Sequence, residues 1–198
     1  MEASMHHHSR LLSFWIVTIA AVAATTGTLI AAKPIEHLTA FAVDMSNTAI
    51  RTRAGTIDIV INRWSTDEER DQLLAALREG GTDGLLRALQ KIKDPAGYIR
   101  TPSSIGYPLR FVRQTTMADG GRRIIIATDR YVSFLEATTQ PRSADYPFML
   151  VDIRMTPDGK GTGKLMPLAK VTANEDHTVE IENYSSEPIR LTEVRELK

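Results

Sequence analysis

The densest run of side chains able to bind something lies between residues 98 and 146. It holds Arg100, Arg110, Arg113, Asp129, Arg130, Tyr131, Asp145 and Tyr146, with Tyr98, Tyr107, Phe111, Arg122 and Arg123 among them. Guanidinium forks match planar anions, so the chemistry on offer is a pocket for a carboxylate, a phosphate or a sugar. The competing reading is a salt-bridged network over the wet face of a sheet, which needs no ligand. Arg113 sharpens the choice. At period two it shares a face with Leu109 and Phe111, where an unpaired charge costs several kcal/mol. It must meet an acid such as Asp129 or Asp145, or open to a polar pocket. The first eight residues named are the candidate ligand-binding set.

Other chemistries are poorly supplied. The string DGKGTGKL at 158–165 looks like a phosphate loop, but Asp158 stands where that loop needs Gly and Leu165 where it needs Ser or Thr. A glycine-rich hairpin turn is the better reading. Beyond the first 32 residues only His37 and His177 remain, and no HExxH occurs. Ser103-Ser104-Ile105-Gly106 lacks the leading glycine of a nucleophile elbow, and the chain has no cysteine. Paired carboxylates could cleave a glycosidic bond. Asp58, Asp129, Glu136, Asp152, Glu180 and Glu182 are candidates by strand alternation, yet among so many acids some pair falls close by chance. The expectation is no catalytic residue, no metal and no cofactor.

The elements that must position these residues follow from periodicity. Leu38–Met45 and Thr56–Trp64 read as strands, with Ile57, Ile59 and Ile61 on one face of the second. The period then switches. Ser65 or Thr66 with a Glu three residues on makes a capping box, and Asp67, Glu68 and Glu69 suit the positive end of a helix. Leu73, Leu74 and Leu77 form one stripe, with Arg70 a turn ahead. Gly80-Gly81 stops that helix, and Thr82 or Asp83 caps a second carrying Leu85, Leu86, Leu89 and Ile92. The pattern predicts a helical hairpin over about 66–93. From Gly97 on, turns recur every 8–12 residues. They delimit strands at Tyr98–Thr101, Leu109–Thr115, Arg122–Thr128, Tyr131–Glu136, Phe148–Met155, Gly163–Thr172, Thr178–Tyr184 and Ile189–Val194. Pro167 inside a strand pattern implies an edge or a bulge. The fold class is α+β: a mainly antiparallel β sheet, as a sandwich or barrel, with one inserted helical hairpin.

Compartment is read from Leu11–Ala32, which carries no charge. As a helix it would be about 33 Å long, enough to cross a bilayer core. Arg10 before it and Ala21-Val22-Ala23 within it fit a signal peptide; its length fits an uncleaved anchor. Residues 1–32 are therefore read as signal peptide or membrane anchor, and 33–198 as a single α+β domain. His6–His8 in this leader have no fixed geometry for a metal. The chain has 24 basic and 24 acidic residues. That balance leaves no footprint for nucleic acid, and membrane contact is expected only through residues 11–32. A thiol-free exported chain must take its stability from its core.

The strings INRWSTDEERDQLLAALREGG, GYIRTPSSIGYPLRFVRQT, DGGRRIIIATDRYVSF, SADYPFMLVDIRM and DGKGTGKL together resemble a family of uncharacterised exported bacterial proteins. The resemblance spans roughly Leu38 to Val194 and implies a leader followed by one domain. It implies no activity. The functional expectation is a non-enzymatic exported module, periplasmic or secreted, that binds a small ligand or an envelope protein through the open end or face of its sheet. The alternatives are a carboxylate-dependent hydrolase of envelope or extracellular polymers, and a membrane-anchored structural scaffold.

Overall fold

Alternation and the switch of period produce most of the elements found. The structure, a computed structural model, describes residues 34–45, 53–130, 146–173, 179–183 and 187–197. Strands β1 (Glu36–Asp44) and β2 (Arg53–Ile61) precede the helical element α1 (Asp67–Lys91). Eight strands follow: β3 (Gly97–Arg100), β4 (Tyr107–Leu109), β5 (Phe111–Thr116), β6 (Arg122–Ala127), β7 (Phe148–Met155), β8 (Lys160–Ala173), β9 (Val179–Asn183) and β10 (Ile189–Glu196). All described residues fall in one compact unit, Ala32–Lys198. The predicted strand at Tyr131–Glu136 and the leader at 1–32 lie outside the described residues. Among the described residues no helix is long and apolar enough to cross a membrane.

The strands form one antiparallel sheet in the order β4-β3-β2-β1-β10-β8-β7-β6-β5, with β9 added to β8. Among the described residues the pairing path is open, so of the two expected forms, sandwich or barrel, the closed barrel is not the one found. Its two end strands are nevertheless consecutive in sequence, separated by Arg110 alone, whose N–H bonds Ala127 O at 2.9 Å. The sheet must therefore curl until its edges meet at that residue. One face turns inward and buries Leu38, Ile59, Ile99, Val112, Ile126 and Ile153 in a single cluster drawn from both halves of the sheet. At period two an inward strand residue recurs every second position. Leu109 and Val112 are both inward although three apart, so the turn at Arg110 shifts the phase. This shift corrects the expected face of Arg113, which does not share the side of Leu109.

The inner face is tight where β8 crosses β7. A β-carbon on Gly163 would lie 2.7 Å from Asp152 O and 3.0 Å from Ile153 Cγ1. Gly161 and Gly163 of DGKGTGKL thus serve backbone approach inside a β hairpin, while Gly159 supplies the positive φ of its turn (78°). Opposite Pro167 the register slips: Phe148 pairs with Ala169 but Leu150 with Met166. Beyond that bulge β8 runs on to pair with β9. One ion pair spans the interior where β1 and β6 begin. Glu36, 7 % exposed, accepts a two-pronged contact from Arg122, whose Nη1 also donates to Gln114 Oε1 at 3.1 Å.

The helical hairpin is corrected to one helical element with a sharp kink. Thr66 caps it through a complete capping box with Glu69, as the sequence implies. Gly81 takes non-helical angles (φ 57°, ψ −150°), and helical bonding resumes at once. Thr82 does not cap a second helix; its hydroxyl donates to Val171 O on β8 at 2.9 Å. A straight helix of this length would run about 37 Å. Yet the Arg63 guanidinium touches Glu69 in the first turn (2.9 Å) and Asp94 just past the last (3.1 Å). The kink at Gly81 brings the two ends back together.

Candidate functional site

The outer face of the sheet carries a second apolar layer where α1 lies on it. Phe148, Leu150, Ala169 and Val171 are buried there beneath Leu73, Leu77 and Leu89 of α1. Near β7's start the run Phe148–Val151 is buried on both faces, since inner and outer sides are each covered. The layers do not fill the space between them. A cleft of about 220 Å³ remains, walled on one side by Leu74, Leu77 and Leu85 and on the other by Phe111, Ile125 and Met166. Ile181 of β9 borders it and is 46 % exposed. Small-molecule sites are concave and mostly apolar, with few polar groups at set points.

The polar groups of this cleft are three. Arg70, Arg123 and Asp152 line it beside the apolar wall. Arg123 reaches across β6 and β7 to Asp152, donating from Nε at 2.9 Å and from Nη2 at 2.8 Å. That fork holds the guanidinium pKa above its ordinary value. Arg70 donates from Nε to Asp71 Oδ1 at 2.9 Å, and this bond raises its pKa too. Asp71 does not line the cleft.

The eight expected residues go elsewhere. Arg110 and Asp129 do meet: Arg110 Nε lies 3.2 Å from Asp129 Oδ2, and Arg130 Nε lies 3.5 Å from Oδ1. Asp129 is 7 % exposed. Arg110 Nη1 also donates to Ile92 O at 2.8 Å, so this cluster ties the end of α1 to the β4–β5 corner. Arg113 meets an acid, but it is Asp67 in the first turn of α1, and the bond draws the Asp67 carboxyl pKa down. Arg100 stands apart on β3, 3.5 Å from Asp58 and over the Tyr98 ring; Asp58 in turn lies 3.6 Å from His37 Nε2. Tyr146 donates to Glu182 Oε1 at 2.5 Å. Tyr131 and Asp145 lie outside the described residues, as does His177. None of the six described candidates lines the cleft.

Sequence reasoning missed Arg70, Arg123 and Asp152 as a set. One signal was available: Arg70 sits three, four and seven residues ahead of Leu73, Leu74 and Leu77, which places a cation on the apolar stripe itself. Nothing in the sequence brings Asp152 and Ile181 to the same place. Among the described residues no group of three or more His, Cys, Asp or Glu side chains could hold a metal ion. No protein-family model, curated protein or solved structure matches this chain.

Proposed function

We propose that this protein is a non-catalytic binding module that holds a small, largely apolar ligand between α1 and the outer face of β5–β9. The carrying observation is the cleft itself: a void of about 220 Å³ whose wall is leucine, isoleucine, phenylalanine and methionine, with three charged side chains among its lining. A half-open apolar cleft of that kind offers buried contact to an apolar molecule, and apolar cavities of about 150 Å³ take up benzene-sized molecules. We further propose that Leu11–Ala32 exports the domain to an envelope or extracellular space, as its uncharged length suggests. Sequencing the amino terminus of the mature chain tests this: a start near Ala24 or Lys33 means release, and an intact leader means a tethered module. The two halves of the curled sheet, sharing one interior, are in our reading arranged as in a sandwich.

The hydrolase alternative draws no support from the cleft. Its lining includes one carboxylate, Asp152, which is held by Arg123, whereas glycosidic cleavage uses two. The binding reading is tested by thermal unfolding of the full chain with and without octan-1-ol. Saturating ligand is expected to raise Tm, and calorimetry is expected to give a negative heat-capacity change. Leu74→Trp, which fills the void from a half-buried position, is expected to fold and to lose the effect. An unchanged Tm in the wild type sinks the reading.

A further inference from the structure

Resting on that binding reading, we propose that the ligand is a single-chain monocarboxylate of about eight or nine carbon atoms, a medium-chain fatty-acid anion, with its chain in the leucine cleft and its head at Arg70 and Arg123. Chain length follows from volume. If about 150 Å³ of apolar cavity takes a six-carbon ring, then 220 Å³ takes about half as many carbons again.

The head group follows from charge and valence. Two guanidiniums and one carboxylate line the cleft. Arg70 is paired to Asp71 and Asp67 outside that lining, so the cationic edge turned to a ligand is chiefly the Nη1 side of Arg123. That complements a monoanion; a cationic head would meet like charge. Each guanidinium has five N–H donors in a planar fork. Arg123 spends Nε and one Nη2 hydrogen on Asp152. Among the described residues its Nη1 hydrogens take no protein partner. A second carboxylate can therefore join the free edge of Arg123 without displacing Asp152. Asp152 fixes that edge in place, so the donor is oriented before the ligand arrives. Arg70, 39 % exposed in its side chain, rises from α1 on the other wall, so the head would bridge helix and sheet. An alcohol can accept a hydrogen bond there, but it brings no charge and has no second oxygen to match the fork.

The experiment is calorimetric titration of the full chain at neutral pH with octanoate, octan-1-ol and protonated octylamine. Octanoate is expected to bind at least tenfold more tightly than octan-1-ol, with octylamine weakest. The octanoate preference should shrink in high salt. The paired variant Arg123→Gln/Asp152→Asn removes the fork without leaving a lone charge, and Arg70→Gln removes the other. In each, the octanoate-to-octan-1-ol affinity ratio is expected to fall toward one; circular dichroism verifies that each variant is folded. Equal binding of octanoate and octan-1-ol by the wild type overturns the anionic head and leaves the cleft reading standing. An unaltered ratio in both folded variants also overturns it. Binding by none of the three overturns both readings.

Discussion

Breaking the Glu36–Arg122 pair from one side strands a charge. Glu36 is almost wholly inside, and Arg122 is less than a third exposed. Among the described residues, Glu36→Ala leaves that guanidinium facing the interior with Gln114 and, at 3.8 Å, Glu196 as its remaining partners. Losses on removing one partner of a buried pair run to 3–5 kcal/mol. With Arg122 partly wet, we expect about 3 kcal/mol in urea unfolding. Glu36→Leu with Arg122→Met removes both charges and is expected to recover most of that loss. Glu69 makes a different, pH-dependent contribution. The bond from Arg63 holds its carboxyl pKa below the ordinary value of 4.5. Such a group contributes stability that is complete above the ordinary range and lost as pH falls through its folded pKa. Glu69→Gln keeps the capping acceptor but loses the charge. It is expected to cost about 1 kcal/mol at neutral pH. The difference from wild type should fade on the acid side of the carboxylate range. Denaturant titrations at several pH values read this directly.

At the scale of the element, α1 is the hinge on which the cleft depends. Its two arms approach so closely after Gly81 that a β-carbon on Gly84 would sit 2.3 Å from the Ala76 carbonyl oxygen. Backbone cannot yield as a side chain can. Alanine is the better helix former by about 1 kcal/mol, yet Gly84→Ala is expected to destabilise, by about 1–3 kcal/mol, as overpacking does. Gly80→Ala provides the contrast. Its nearest neighbour is Arg87 Nη2 at 3.4 Å, the end of a flexible chain. Alanine there is expected to be neutral or to stabilise by about 0.5–1 kcal/mol. Thermal unfolding should place Gly84→Ala below the wild type and Gly80→Ala at or above it. Both arms are legible in the sequence, because leucine spacing, the Thr66 cap and Asp94-Pro95 are local signals. That they form one kinked element is not. Gly80-Gly81 reads as a stop, and only the distant partners, Arg63 for the ends and Val171 for Thr82, dictate where the chain goes after it.

Across the whole molecule, alternation makes the strands legible and leaves their partners hidden. Ile57, Ile59 and Ile61 announce a face; they do not say that the same interior will hold Val112 and Ile126. The candidate site fails for the same reason. The Arg and aromatic side chains cluster in sequence, but the corner at Arg110 sends them to separate places. The cleft is assembled instead from residues as far apart as Arg70 and Ile181. This architecture has a consequence for unfolding. The inner cluster draws on nearly every strand, and the layer under α1 uses the outer faces of β6, β7 and β8, whose inner faces belong to the first. The two layers share the backbone of β6, β7 and β8, so they are expected to melt together. Trp64 packs against the inner cluster, and far-ultraviolet dichroism at the helical band follows α1. In a Trp15→Phe background, where Trp64 is the sole tryptophan, urea unfolding monitored by fluorescence and by dichroism is expected to give one midpoint. Leu89→Ala, on the helix side, should shift both signals together by the 2–5 kcal/mol usual for such a truncation. A fluorescence midpoint that stays put while the helical signal moves would mean that α1 detaches as a separate unit, and that the cleft is a contact the sheet can do without.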